Sequence, residues 1–148
     1  MRARTVTDLD ERCGRAAVVV YRVRKRRVEF LLVSRSSDRD QFVLPGGRAE
    51  RGESLRKAAQ RECLEESGVE ARIEGALTEF DHFNSRGGIK PTRVYLAGVR
   101  REMPSPEGRD VVWVRYADLV NCVYDVPNPT LEVLDYAAQC LDADRVAA

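Results

Sequence analysis

Residues 47–69, GRAERGESLRKAAQRECLEESGV, predict a helix that carries several negatively charged side chains close to its end. The helix is expected to begin near Glu53 or Ser54 and to continue to about Ser67, because no proline interrupts it. Gly68 suits the left-handed conformation that ends many helices. The end of this helix carries three carboxylates, those of Glu62, Glu65 and Glu66. Carboxylates repel at this spacing and are disfavoured at the carbonyl end of a helix, so another group is expected to neutralise them.

Two of these carboxylates share a side of the helix with its apolar residues. At about 100° per residue, Glu62 and Glu66 lie within about 40° of each other, and Glu65 lies on the adjacent edge. The side of the first two also carries Leu55 and Ala59. A solvated helix face is one interpretation. The other is that carboxylates beside a buried stripe share protons, pair with arginine or bind a cation, and oxygen-only ligands favour Mg²⁺ or Mn²⁺.

The loop before the helix supports the cation interpretation. Pro45, Gly46 and Gly47 predict a tight turn in which the backbone approaches a ligand closely, so that a peptide carbonyl can point at the same cation. Within the helix, Arg61 follows Glu53 by just over two turns, and we expect its side chain to reach back to that carboxylate. We interpret this pair as structural.

The composition indicates one globular domain, residues 1–148. The chain of 148 residues is 43% hydrophobic and 33% charged, as expected for a soluble protein with a real core. Its net charge of +1 argues against bulk attraction to nucleic acid or to a membrane. No signal peptide or membrane-spanning segment is predicted, so we expect a cytosolic protein. The cysteines lack a CxxC spacing, which favours reduced thiols: Cys13, Cys63, Cys122 and Cys140.

The order of predicted elements is mixed. Runs of β-branched and other apolar residues predict strands, of which the first two flank the basic run RKRR and form a hairpin or two neighbouring strands. The predicted strands are 16–23, 28–34, 72–83, 93–99 and 111–116. After Pro127 and Pro129, an amphipathic helix is predicted from one apolar face: Leu131, Leu134, Ala138 and Leu141. This order predicts an α+β fold or an α/β sandwich.

The spacing in residues 47–69 closely resembles the Nudix box of the Nudix hydrolase family. The matching positions are Gly47, Glu53, Arg61, Glu62, Glu65, Glu66 and Gly68. The one departure is Cys63, where the family has an aliphatic residue, and cysteine packs as a small apolar group. The rest of the chain is similar in outline, with apolar strands before the box and DVVW, ADLV and a helix after it.

The resemblance implies a mixed β-sheet between helices in an α/β/α sandwich, and cleavage of a diphosphate linkage. It implies that Glu62 and Glu66 are the leading ligands of Mg²⁺ or Mn²⁺, that Glu65 is a ligand or the general base, and that the Gly46 carbonyl completes the site. Glu65 and Glu66 remain alternatives for the base, and Glu62 belongs to the same catalytic set. Gly47, Glu53, Arg61 and Gly68 then have structural roles. Without the cation, repulsion is expected to strain the helix end.

The substrate is predicted less sharply. Several segments resemble the diphosphoinositol polyphosphate and diadenosine polyphosphate branch of the family, although Arg48 stands where that branch has an acidic run. Cations expected to contact phosphates are Arg35, Arg48, Lys90 and Arg93. Asp110 is either a further metal ligand or a solvated strand-edge residue. Alternatives are a nucleoside triphosphate pyrophosphohydrolase and a non-catalytic nucleotide sensor, and a homodimer is also considered.

Overall fold

A computed structural model describes residues 14–83 and 87–147. Seven strands form one sheet with the central order β3-β2-β1-β6-β5, to which β4 adds beside β1 and β7 beside β2. The strands are β1 (Arg15–Arg24), β2 (Arg27–Arg35), β3 (Asp38–Val43), β4 (Gly46–Arg48), β5 (Val69–Phe83), β6 (Ile89–Glu102) and β7 (Val111–Arg115). The helices are α1 (Leu55–Ser67), α2 (Tyr116–Val120) and α3 (Asn128–Ala147). β1 and β6 run parallel, whereas the other named pairs are antiparallel, so the predicted mixed sheet is confirmed.

The sheet separates two apolar cores because alternate residues of a strand face opposite sides. Ala16, Val18 and Val20 of β1 pack with α1. Ala17 and Val19 pack on the other side with α3. The predicted apolar face of α3 is confirmed, since its residues lie in or against this second core: Leu131, Leu134, Ala138 and Leu141. The helix-sheet-helix sandwich follows from these two packed faces.

Most predicted elements are present with shifted ends. The basic run forms the predicted hairpin tip, in which Lys25 and Arg26 have φ values of 50° and 65°. β5 and β6 are longer than predicted because they pair with each other from Val69 to Phe83 and from Ile89 to Glu102. Residue 116 begins α2 rather than ending β7.

The predicted ends of the first helix are confirmed. The Ser54 side chain accepts a hydrogen bond from the backbone N–H of Lys57 at 3.2 Å, and the helix follows directly. At its other end, Gly68 is left-handed with φ 79° and donates its N–H to the Leu64 carbonyl at 2.9 Å. A Cβ at Gly68 would lie 2.1 Å from the Met103 carbonyl oxygen, so the position needs glycine for space as well as for conformation.

The prediction of a tight turn at Gly46 and Gly47 is wrong. Both residues lie in β4, which pairs antiparallel with β1, and neither has a positive φ. Close approach explains them instead. A Cβ at Gly46 would lie 2.5 Å from the Ala16 carbonyl oxygen, and one at Gly47 would lie 2.7 Å from the Glu62 carboxylate.

Two further expectations concern thiols and membranes. Cys63, Cys122 and Cys140 are free thiols, whereas Cys13 lies outside the described residues. Across 14–83 and 87–147, no helix combines the length and the apolar character that spanning a membrane requires.

Candidate functional site

The three carboxylates at the end of α1 differ in burial. Glu66 is 3% exposed and accepts a hydrogen bond from the Gly46 N–H at 3.1 Å, which ties the helix to β4. The Glu62 side chain is 18% exposed, and that of Glu65 is 46% exposed. The helical spacing predicted this order, since Glu62 and Glu66 share the inward side and Glu65 lies on its edge.

Arg61 is the positively charged residue that pairs with two of these three carboxylates, those of Glu62 and Glu65. It reaches back to Glu53 as predicted, with Nε 2.8 Å and Nη2 2.9 Å from the two carboxylate oxygens. Its Nη1 lies 2.9 Å from Glu62 Oε1 and 3.3 Å from Glu65 Oε2, and its Nη2 also donates to the Arg48 carbonyl at 3.1 Å. The hydrogen bonds to Arg61 hold the pKa of Glu53 below its ordinary value. One guanidinium therefore links the start of α1 to its end.

Burial dominates the electrostatics of the other two carboxylates. It raises the pKa of Glu66 to about 7, although the Gly46 N–H and the nearby Arg109 lower it. Burial also raises the pKa of Glu62, against the hydrogen bond from Arg61. Both side chains are thus carboxylates that a further positive charge would stabilise.

Sequence reasoning missed Arg109, in the loop between β6 and β7. Its Nη1 lies 3.6 Å from Glu66 Oε2. Ser105 in the same loop donates its hydroxyl to the Glu66 carbonyl at 2.6 Å and accepts the Arg109 N–H at 3.0 Å. No helical or strand periodicity marks these residues in the sequence, so their position depends on how the loop crosses the end of α1.

A cavity of about 330 Å³ opens beside Glu66. Gly46 and Gly47 line it, together with three arginines, Arg15, Arg35 and Arg109. Apolar residues on another part of its wall include Phe80, Pro127 and Pro129. Burial and Arg48 lower the pKa of Arg15, whereas Glu62 and Glu66 raise it, so this arginine lies within the field of the glutamates. The cavity therefore joins the buried carboxylate of Glu66 to basic and apolar side chains.

The predicted phosphate-binding cations are only partly brought together. Of the four, Arg35 alone lines this cavity in the described part of the chain, where it is hydrogen-bonded to Gln41. Arg93 forms an ion pair with Glu79, which lies opposite it in the β5–β6 register. Lys90 and Arg48 are exposed residues outside the lining. Strand pairing, which the sequence did not reveal, directs Arg93 to its partner.

Asp110 fits the solvated alternative better than the ligand alternative. Its side chain is 59% exposed, and Oδ1 lies 3.2 Å from Arg39 Nη2. It is not part of the cavity wall. Its backbone N–H donates to the Ser34 hydroxyl at 3.0 Å, which fixes the loop rather than the cavity.

The residues fit a hard divalent cation by charge and donor type, but their side chains do not yet converge. No group of three or more His, Cys, Asp and Glu side chains is arranged for a metal among the residues that the structure describes. Glu62 and Glu65 are instead paired with Arg61. Arg61 and Arg109 together face six carboxylates, those of Glu50, Glu53, Glu62, Glu65, Glu66 and Glu107. The excess negative charge and the oxygen donors suit Mg²⁺ or Mn²⁺.

Known proteins resemble this chain in sequence and in fold. Diphosphoinositol polyphosphate phosphohydrolase 3-beta from Bos taurus is 33% identical over 111 residues, which are 72% of this chain and 66% of the relative. The chain thus spans slightly less than two thirds of that relative's length. The C. elegans Ap4A hydrolase binary complex has a TM-score of 0.71 at 22% identity, covering 87% of this chain and 97% of that one.

The NUDIX domain of Shewanella oneidensis NrtR, solved with ADP ribose, is another structural neighbour. Its TM-score is 0.69 at 23% identity, and 88% of each chain is covered. At 22% and 23% identity, these two structures show that the fold is shared and nothing further. The model of the NUDIX domain family matches residues 13–134, which is most of the chain. With the box residues at the end of α1 and the sandwich around them, the chain belongs to the NUDIX domain family.

Proposed function

We propose that this protein is a divalent-metal-dependent Nudix hydrolase that cleaves a diphosphate linkage in a small, phosphate-rich molecule. One observation carries the proposal: the buried Glu66 lies in the wall of a cavity that also contains three arginines. Carboxylates that bind a divalent cation and arginines that bind phosphate are the two requirements of phosphoryl chemistry. Family membership and the name of the Bos taurus phosphohydrolase support the same conclusion.

Glu62, Glu65, Glu66 and the Gly46 carbonyl are the groups that would hold Mg²⁺ or Mn²⁺. When bound, the cation offsets negative charge that develops on the phosphate oxygens. The side chains of α1 divide the remaining work. Glu66 is fixed by the Gly46 N–H and suits a constant ligand, whereas Glu65 is 46% exposed and suits the base that takes a proton from water. Glu66 is the alternative base.

The walls of the cavity favour a nucleoside polyphosphate over a more highly phosphorylated substrate. Arg15, Arg35 and Arg109 can contact phosphates, and Phe80, Pro127 and Pro129 offer apolar surface to a nucleobase. We therefore place a diadenosine polyphosphate first. A diphosphoinositol polyphosphate is the second candidate because of the Bos taurus relative, and a nucleoside triphosphate is the third.

A hydrolysis screen with Mg²⁺ tests the proposal. The substrates are diadenosine polyphosphates, diphosphoinositol polyphosphates, nucleoside triphosphates and ADP-ribose. Glu66→Gln is expected to lower turnover by about 10²–10⁴-fold. Glu70→Gln is the control, because Glu70 pairs with Arg100 and Arg101 and does not line the cavity. Two unequal nucleotides indicate a dinucleoside polyphosphate, and a nucleoside monophosphate with pyrophosphate indicates the triphosphatase.

The screen also has an outcome that contradicts the proposal. If no compound is hydrolysed with Mg²⁺ or Mn²⁺ but a nucleotide binds tightly, the protein is a nucleotide sensor that retains its glutamates.

We further propose that the protein is one domain over residues 1–148, that it is cytosolic, and that its ligand is a small molecule rather than nucleic acid or a membrane. Light scattering distinguishes a homodimer from a monomer.

A further inference from the structure

We propose that Arg109 is an exchangeable counterion, which neutralises Glu66 without a metal and turns to the substrate's phosphates when a divalent cation takes its place. The inference rests on the proposed function, because it needs a cation at Glu66 and an anion in the cavity. It predicts that the cation and the phosphate groups of the substrate bind cooperatively, with Arg109 as the residue that couples them.

The first step is that Arg109 is the arginine in ion-pair contact with Glu66, whereas Arg15 acts on it from a greater distance through the field. Glu66 is 3% exposed, and its carboxylate has one direct hydrogen bond in the described structure, from the Gly46 N–H at 3.1 Å. Its ion-pair partner there is Arg109, at 3.6 Å. An ionised carboxylate this deeply buried is costly unless a positive charge lies beside it.

The second step is that this contact can be released without freeing the arginine. A separation of 3.6 Å is too long for a hydrogen bond, so the attraction to Glu66 is mainly coulombic. The direct bonds of the guanidinium go elsewhere, to Glu107 Oε1 at 2.9 Å and to the Ser34 carbonyl at 3.3 Å. Arg109 can therefore leave Glu66 while Glu107 keeps it at the site.

The third step is that the loop holds Arg109 near the end of α1. Ser105 links the two backbones, since its hydroxyl donates to the Glu66 backbone carbonyl at 2.6 Å and accepts the Arg109 backbone N–H at 3.0 Å. The link leaves both charged groups free of it, so the Arg109 side chain can move while the loop stays in place.

The fourth step concerns the two positive charges. A divalent cation on Glu66 repels a guanidinium at ion-pair distance, so binding the cation disfavours the present position of Arg109. Arg109 already lines the cavity, together with Arg15 and Arg35, where an anion would attract it. Because binding free energies are reciprocal, an anion that draws Arg109 away must strengthen cation binding by the same factor.

Calorimetric titration of the substrate-free protein with Mg²⁺ tests the first half of the inference. Arg109→Gln is expected to bind Mg²⁺ about threefold to tenfold more tightly than the wild type, because no counterion has to be displaced. Arg109→Lys keeps the charge and should stay close to the wild type. Arg35→Gln removes a charge from the same cavity wall that is bonded to Gln41 rather than to a glutamate, and it should change Mg²⁺ affinity by less than about twofold.

Pyrophosphate binding tests the second half. Mg²⁺ should raise the affinity of the wild type for pyrophosphate, and this enhancement should shrink in Arg109→Gln. Ser105→Ala provides a variant without a change of charge: it removes the link between the backbones of Arg109 and Glu66, which loosens the loop that places Arg109 beside Glu66, and should also tighten Mg²⁺ binding. It decides the question if Arg109→Gln does not fold, as judged by circular dichroism.

The outcomes separate this inference from the proposed function. If the wild type neither binds Mg²⁺ or Mn²⁺ nor hydrolyses any compound, both ideas are wrong. If the wild type binds Mg²⁺ and is active, but Mg²⁺ affinity in Arg109→Gln is unchanged or weaker, only the counterion role is refuted. An equal gain in Arg35→Gln would also refute it, because a general field in the cavity would then explain the effect.

Discussion

Alanine at two adjacent glycines should have opposite consequences for this protein. Gly46 and Gly47 both lie in β4 without a positive φ, so alanine carries no backbone penalty at either. The neighbours of the added Cβ differ. At Gly46 it would lie 2.5 Å from the Ala16 carbonyl oxygen and 2.8 Å from the Ala17 Cα. At Gly47 it would lie 2.7 Å from the carboxylate of Glu62, the mobile end of a long side chain.

These distances set the expected magnitudes. At Gly46, β1 backbone has to move, and overpacking of this kind costs about 1–3 kcal/mol or more. For a domain of this size, 3 kcal/mol corresponds to a fall in Tm of roughly 6–12 °C. At Gly47 the Glu62 carboxylate can rotate away, at the expense of its bond to Arg61. Alanine also lowers the entropy of the unfolded chain, a gain of about 0.4–1 kcal/mol, so Gly47→Ala should change the free energy of unfolding by under about 1 kcal/mol.

Mg²⁺ affinity should fall more in Gly47→Ala than in Gly46→Ala, the reverse of the order expected for stability. Displacing Glu62 removes a proposed metal ligand, and changes that misplace a ligand lower metal affinity by about 10–100-fold. Urea denaturation and calorimetric titration with Mg²⁺, performed on both variants, measure the two effects separately. The reasoning would be refuted if Gly47→Ala unfolded as readily as Gly46→Ala, or if Gly47→Ala bound Mg²⁺ like the wild type.

Two further predictions concern stability. Gly68→Ala should cost about 3 kcal/mol, because φ is 79° and a Cβ would lie 2.1 Å from the Met103 carbonyl. Gly52→Ala, with φ 78° and open space, should cost only about 1 kcal/mol in the same urea denaturation, and equal losses would contradict the packing argument. Because Arg61 lowers the pKa of Glu53, this pair contributes fully above the ordinary value of 4.5 and is lost as pH falls through the folded value. Glu53→Gln should therefore flatten the loss of stability as pH falls below 4.5, and an unchanged slope would contradict it.

The parts of the fold that sequence could predict are those determined over short distances. The ends of α1 follow from Ser54 and Gly68, whose roles depend on residues three or four positions away. The contact between Arg61 and Glu53 joins the helix to the residue just before its cap, eight positions back along the chain. Helical spacing places Glu66 inside and Glu65 at the edge. Each of these statements needs only the geometry of α1 and of the residues that flank it.

The parts that sequence could not predict depend on segments that meet across the fold. Arg109 and Ser105 reach Glu66 from a loop 39 or more positions further along the chain. Arg93 pairs with Glu79 because the register of β5 and β6 places the two opposite each other, and phosphate binding by Arg93 stays a prediction. The turn predicted at Gly46 is a strand because β1 lies beside it. Composition and local periodicity contain no information about such pairings.

The crowding of carboxylates at the end of α1 has a compensation in the protein itself. Arg61 contacts Glu62 and Glu65, and Arg109 lies beside Glu66, so each carboxylate has a guanidinium partner, and the repulsion expected without metal is offset. The two arginines differ in how firmly they are held. Arg61 makes short hydrogen bonds to Glu53 and so belongs to the frame of the helix, whereas Arg109 meets Glu66 without a hydrogen bond. A cation that enters the site should therefore displace Arg109 before Arg61, because breaking the contact between Arg109 and Glu66 breaks no hydrogen bond.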